Sequence, residues 1–181
     1  MSDQGDRSWR AFFTSLSASE RRDVRDILAE DYAAEIRMAR QLAEHAKGLA
    51  RYPDRRARLL AIAAREEEHA RWLREAIEQL GGRPPQLAPT PPDARPNWER
   101  LILDLQAEKE AYEKFLHDAY AVERDHPEIA RLLLRISGEE AAHQREVAWI
   151  LGRADRAALD APLERAARNA AEDVTPQERL P

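Results

Sequence analysis

The sequence predicts an all-α protein, a single bundle of four long helices made of two repeated helical hairpins with a long Pro-rich crossover between them. Three observations predict it. Charged residues make up 35% of the chain and aromatics 6%, with Ala, Leu, Arg and Glu dominant, a mixture that favours long amphipathic helices over strands. The stretch GGRPPQLAPTPPDARP at 81–96 is too rich in proline for a helix to cross, because proline lacks a donor N–H and clashes with the preceding turn. The segments on either side of it repeat each other.

In order along the chain, residues 1–18 form an N-terminal segment in which Trp9, Phe12, Phe13 and Leu16 can make a short apolar turn. Ser17 followed by Glu20 resembles a capping box at the start of the bundle, which spans 19–152. Helices are predicted at 19–50, 53–80, 97–124 and 127–152, with Pro53 and Pro127 each opening the second helix of a pair. Gly152 ends the fourth helix, and 153–181 holds a short Ala- and Arg-rich helix at 160–171 and a polar tail.

The repeat aligns DYAAEIRMA at 31–39 with DLQAEKEAY at 104–112, and PDRRARLLAIAAREEEH at 53–69 with PEIARLLLRISGEEAAH at 127–143. Its offset is 73 residues before the prolines and 74 after them, so one extra loop residue accounts for the change. A duplicated helical hairpin is the simplest origin.

Composition excludes several classes of function. The net charge is −5 and the Arg residues are scattered among acids, leaving no footprint for nucleic acid. The absence of cysteine excludes disulfides, thiolate zinc sites and thiol nucleophiles, so any metal must be held by His and carboxylate. No run of about 18 apolar residues occurs, and the opening MSDQGDRSWRAFFTSL lacks a basic stretch followed by an apolar one. A soluble, cytoplasmic protein with no membrane partner is expected.

The chemistry lies in the apolar stripes, the positions alternately three and four apart that a bundle buries. The first runs Leu28, Tyr32, Glu35, Ala39, Leu42, Ala46, Leu49, and the third Leu101, Leu105, Glu108, Tyr112, Phe115, Ala119. Each is interrupted once, by a glutamate. The second runs Leu59, Ile62, Glu66, His69, Leu73, Ala76, Leu80, and the fourth Leu133, Ile136, Glu140, His143, Val147, Ile150. A Glu-x-x-His spacing puts both side chains on one face about a turn apart, where a carboxylate oxygen and an imidazole nitrogen can reach one ion or two neighbouring ions.

One Glu-x-x-His in a Glu-rich helix is usually an exposed coincidence. Two copies at matching places in a repeat, each within a buried stripe and each following a buried glutamate by 31 or 32 residues, are not. Four buried carboxylates without partners are prohibitive, since each costs several kcal/mol. Two divalent cations would balance the charges of Glu35, Glu66, Glu108 and Glu140, while neutral His69 and His143 add none.

Neighbouring polar residues read differently. Glu67, Glu68, Glu110, Glu113 and Glu139 fall off the stripes and are expected on solvated faces. His45, His117 and His126 have no equivalent in the other half and are expected at the surface or at helix ends. Asp31 and Asp104 precede their glutamates by one turn, where each is either an ordinary surface residue or an acceptor for the outer nitrogen of a ligand histidine. Tyr32 and Tyr112 are expected to pack in the core.

With Glu35, Glu66, His69, Glu108, Glu140 and His143 in place, the chain from about 25 to 150 resembles the ferritin-like superfamily, in particular rubrerythrins and bacterioferritins, whose pattern is a Glu, then Glu-x-x-His, then both again. The resemblance implies a ferritin-like four-helix bundle with a di-iron site, for which manganese is also suited, reacting with oxygen or hydrogen peroxide. It further implies that Glu66 and Glu140 bridge the ions, Glu35 and Glu108 bind terminally, and His69 and His143 complete the two shells. This chain departs from rubrerythrins proper in lacking a Cys-rich electron-transfer domain and in carrying Ala111 where many have a further glutamate. Bacterioferritins place a haem-ligating Met where this chain has Glu67, so haem is not expected.

The function implied is that of a non-haem di-iron oxidoreductase, oxidising Fe(II) with oxygen or reducing peroxide. It would draw on an electron donor that no motif identifies. The alternatives are iron storage or detoxification in a homo-oligomer and, ranked below it, oxygenation of an organic substrate.

Overall fold

The computed structural model describes residues 23–89, 93–157, 159 and 160. Its main elements are four helices, α1 at Val24–His45, α2 at Pro53–Gln79, α3 at Asn97–Val122 and α4 at Pro127–Gly152. A short 3-10 turn, Ala46–Leu49, extends α1, and no strand occurs among the described residues. The anticipated capping box at Ser17 and Glu20, the apolar turn before it and most of the short helix at 160–171 lie outside the described residues.

Local chemistry sets the helix ends. Asp23 caps α1 by accepting from the Arg25 N–H at 2.8 Å. Pro53 and Pro127 stand in the first turns of α2 and α4, where no intrahelical donor is needed. The C-terminus of α2 closes through Gly81, whose φ of 74° a side chain would resist. Gly81 donates to the Glu78 carbonyl at 3.0 Å and Gly82 to the Ile77 carbonyl at 2.9 Å, a Schellman closure.

Packing fixes the topology. At one end of the bundle, Ile27 and Leu28 from the start of α1 meet Leu73 and Ile77 from α2, Phe115 and Val122 from α3, and Ile129 and Leu133 from α4. At the other, Leu42 and Leu49 meet Leu59 and Ile62, Leu101, Val147 and Ile150. The helices therefore run up, down, down, up. Each packs most heavily on its own hairpin partner, α1 on α2 and α3 on α4. Since α3 has 26 residues and is ~39 Å long at 1.5 Å per residue, residues 81–96 must travel the length of the bundle, which an extended chain does easily.

The stripes read from the sequence are the buried faces. Every stripe residue of α4 is buried, and so are Glu35, Glu66, His69 and Glu108 between the two apolar clusters. Tyr32 packs against the first cluster as expected. No described helix is long and apolar enough to cross a membrane.

One packing element lay beyond the sequence reading. Leu159, just after α4, is buried in the second cluster, and its carbonyl accepts from the Asn97 side chain at 2.8 Å. Next to it, Asp160 accepts from the Trp98 N–H at 3.1 Å, capping α3 from a segment 62 residues away.

Candidate metal centre

The structure brings all six residues singled out in the stripes to one level of the core. Glu35 from α1, Glu66 and His69 from α2, Glu108 from α3, and Glu140 and His143 from α4 are each 8% exposed or less. They form two overlapping groups, Glu35, Glu66, His69 and Glu140, and Glu66, Glu108, Glu140 and His143, each with one donor atom per residue within 4.8 Å of the others. Glu66 and Glu140 belong to both.

The geometry repeats the sequence symmetry. Both histidines turn Nδ1 inward, and their rings stack with centroids 5.6 Å apart. Around His69 Nδ1 lie Glu140 Oε1 at 2.9 Å, Glu35 Oε2 at 3.1 Å and Glu66 Oε2 at 3.3 Å. Around His143 Nδ1 lie Glu66 Oε1 at 2.6 Å, with Glu108 Oε2 and Glu140 Oε2 both at 3.6 Å. Glu66 and Glu140 each offer one oxygen to either imidazole.

Apart from the hydrogen bond between His69 Nδ1 and Glu35 Oε2, closeness here is not hydrogen bonding. Both oxygens of Glu66, both of Glu108, Glu140 Oε1 and His143 Nδ1 are buried without an aligned hydrogen-bond partner. So many unsatisfied polar atoms in one place carry a heavy desolvation cost unless a cation is their common partner. Carboxylate oxygen with imidazole nitrogen is a donor set suited to iron, manganese or zinc.

The groups strain against each other when no cation is present. Burial pushes the Glu35 carboxyl well above its usual range, outweighing its contact with His69. Glu108 goes up to about 9, raised by burial and by the charges of Glu66 and Glu140. Burial would also raise Glu66, but the facing imidazoles of His143 and His69 hold it far below the normal range. Burial favours neutral imidazoles, yet the surrounding carboxylates override it and raise His69 to about 12 and His143 to about 11. Protons held on the imidazoles offset part of the carboxylate charge.

The shell around these six differs from the expectation. Neither Asp31 nor Asp104 reaches a cluster histidine. Both are fully buried, and each is bound across to the other hairpin. Asp31 pairs with Lys114, which also binds Asp118 at 2.6 Å, and burial lifts Asp31 to about 6 against the pull of Lys114. Asp104 accepts from Gln41 at 2.8 Å and contacts His45. These two sets follow the repeat, Asp31 matching Asp104, Gln41 matching Lys114 and His45 matching Asp118. His45 is at a helix end as expected but is buried, not at the surface.

Glu139 is the second correction. It was expected on a solvated face, as Glu67, Glu110 and Glu113 indeed are, but it is largely shielded. Its Oε2 lies 3.1 Å from His69 Nε2, and it also pairs with Arg65. Stripe arithmetic misses it because it sits one residue off the buried line and reaches inward through its length. The signal was its match to Arg65 in the repeat, an acid opposite a base.

A model of the rubrerythrin family matches residues 26–146. The chain belongs to the rubrerythrin family. No curated protein sequence matches this rubrerythrin-family chain. Among solved structures it is similar to the bacterioferritin of Desulfovibrio desulfuricans, at 26% identity and a TM-score of 0.66 over 71% of this chain and 78% of that one. That protein carries a diiron site seen in different catalytic states. The bacterioferritin-related protein of Bacteroides fragilis, a dodecameric thioferritin, shares the fold at 16% identity and a TM-score of 0.58, over 93% of this chain and 99% of that one. The rubrerythrin-family chain is thus a ferritin-like four-helix bundle of a di-iron family, with carboxylate and histidine groups able to bind metal.

Proposed function

We propose that the protein is a non-haem di-iron oxidoreductase that oxidises Fe(II) with oxygen or reduces hydrogen peroxide. The observation that carries this reading is that Glu66 and Glu140 each turn one oxygen toward His69 and the other toward His143. In this reading Glu66 and Glu140 would be shared between the two ions, Glu35 and Glu108 would each hold one, and His69 and His143 would complete the two sets of donors. Bound iron supplies the Fe(II)/Fe(III) couple directed at oxygen or peroxide. Manganese suits the same donors.

The chain's own residues do the rest. The apolar clusters above and below the centre exclude water along the bundle axis. On the outside of α3 and α4, a groove of ≈ 440 Å³ lined by Leu105, Gln106, Lys109, Gln144, Arg145 and Ala148 flanks Glu108 and His143 in sequence. We assign small reactants this side of approach.

The test is anaerobic titration of the metal-free protein with Fe(II), then exposure to oxygen or peroxide, followed by absorbance. Saturation at about two ions per chain is required, lost in Glu66→Ala and Glu140→Ala. Binding that survives both substitutions would exclude this centre. Iron storage in a homo-oligomer is a second reading, favoured by the similarity to a bacterioferritin. A storage shell should elute as a very large assembly holding many iron atoms per chain.

A further inference from the structure

His69 and His143 hold matching places in the repeat, yet their rings are secured differently. His69 Nε2 points away from the cluster to Glu139 Oε2 at 3.1 Å, and Arg65 and Arg135 in turn fix Glu139. Trp72 covers the same ring, with centroids 5.5 Å apart. On the other side, the position matching Glu139 is held by Arg65, which has donors and no acceptor. No hydrogen bond to His143 Nε2 occurs among the described residues. His69 is 0% exposed and His143 8%, and the groove lies on α3 and α4, the helices that carry Glu108 and His143, with Lys109 and Gln144 next to them in sequence.

An imidazole whose outer N–H donates to a carboxylate is held in one tautomer and one orientation, and its inner nitrogen becomes the stronger donor. Removing such a partner typically weakens metal binding ~10–100-fold. We propose that Glu139 is the positioning residue for His69 and makes the two halves of the centre unequal. The half formed by Glu35, Glu66, His69 and Glu140 fills first and retains its ion. The half completed by Glu108 and His143 fills second and exchanges toward the groove. This inference rests on the metal-binding reading above and adds to it an order of filling and the residue that sets it.

Titration of the metal-free full chain with Co(II), read by visible absorption and calorimetry, tests the idea without recourse to turnover. The unsubstituted protein should show two steps separated by ~10-fold or more, and His143→Ala should abolish the weaker one. Glu139→Ala should weaken the tighter step ~10–100-fold and leave the other unchanged. Glu139→Gln keeps an acceptor oxygen and the side-chain length, so it should fall between, and it carries the test if the alanine variant is unstable. Two unaltered steps in both variants, or equal weakening of both steps, would overturn the role given to Glu139 while leaving the metal centre intact. Failure of the unsubstituted protein to bind two ions would overturn the centre itself.

Discussion

The two carboxylate oxygens of Asp104 lie 2.9 and 2.8 Å from His45 Nδ1, with both side chains out of reach of solvent. The other nitrogen of His45 faces Asp93 in the crossover at 3.2 Å. The last residue of α1 thus ties α3, one turn before Glu108, to the segment joining the hairpins. His45→Leu leaves Asp104 buried with Gln41 as its remaining hydrogen-bond donor among the described residues and should cost about 1–3 kcal/mol in denaturant unfolding. Asp93→Ala should cost less, since Asp93 is partly exposed.

Loading the centre must expel protons. At pH 7 the metal-free protein holds one on His69 and one on His143, raised to about 12 and about 11, and one on Glu108, raised to about 9. Glu35 is raised as well. Metal uptake should therefore release about three protons or more per two ions, and affinity should climb steeply from pH 6 to 9. Titration in weak buffer with a pH indicator measures the release, and uptake without proton release would contradict it.

The same shifts set the pH dependence of the metal-free fold. Groups whose folded pKa is raised contribute stability that is full below their unfolded values and is lost as pH rises, for Glu108 between 4.5 and about 9 and for His69 between 6.5 and about 12. Glu66, whose pKa is depressed, acts oppositely, its contribution fading as pH falls below 4.5. Melting of the metal-free protein should peak in mildly acid solution, and the gain on adding metal should grow toward alkaline pH.

Glu108→Leu should stabilise the metal-free bundle by about 1 kcal/mol or more while removing metal from the His143 half. Burial raises the pKa of this carboxyl, and both its oxygens lack hydrogen bonds. His143 keeps Glu66 at 2.6 Å. Comparing thermal melts with and without metal separates the two effects.

Asp160→Ala should lower stability by about 1 kcal/mol through loss of the cap on Trp98 N–H, with metal stoichiometry unchanged. Chemical unfolding measures the first and metal analysis the second.

The helices, the buried stripes and the convergence of six polar side chains follow from spacing alone, because a helix fixes which residues share a face. Asp31 and Asp104 were misread because spacing gives height and face but not the partner. Their depth in the core made them seek Lys114 and His45 on the opposite hairpin rather than a cluster imidazole. Glu139 escaped notice for the converse reason, a flank position whose long side chain turns inward. Asp160 was out of reach, since a cap supplied from 62 residues away leaves no local pattern.

Because each helix packs chiefly on its own hairpin partner, the two hairpins are natural units of partial opening. Neither carries a complete subsite, since the first lacks Glu140 and the second lacks Glu66. An ion held at this level would act as a cross-link between them, suppressing the separation of one hairpin from the other and slowing amide exchange along the seam between α2 and α4.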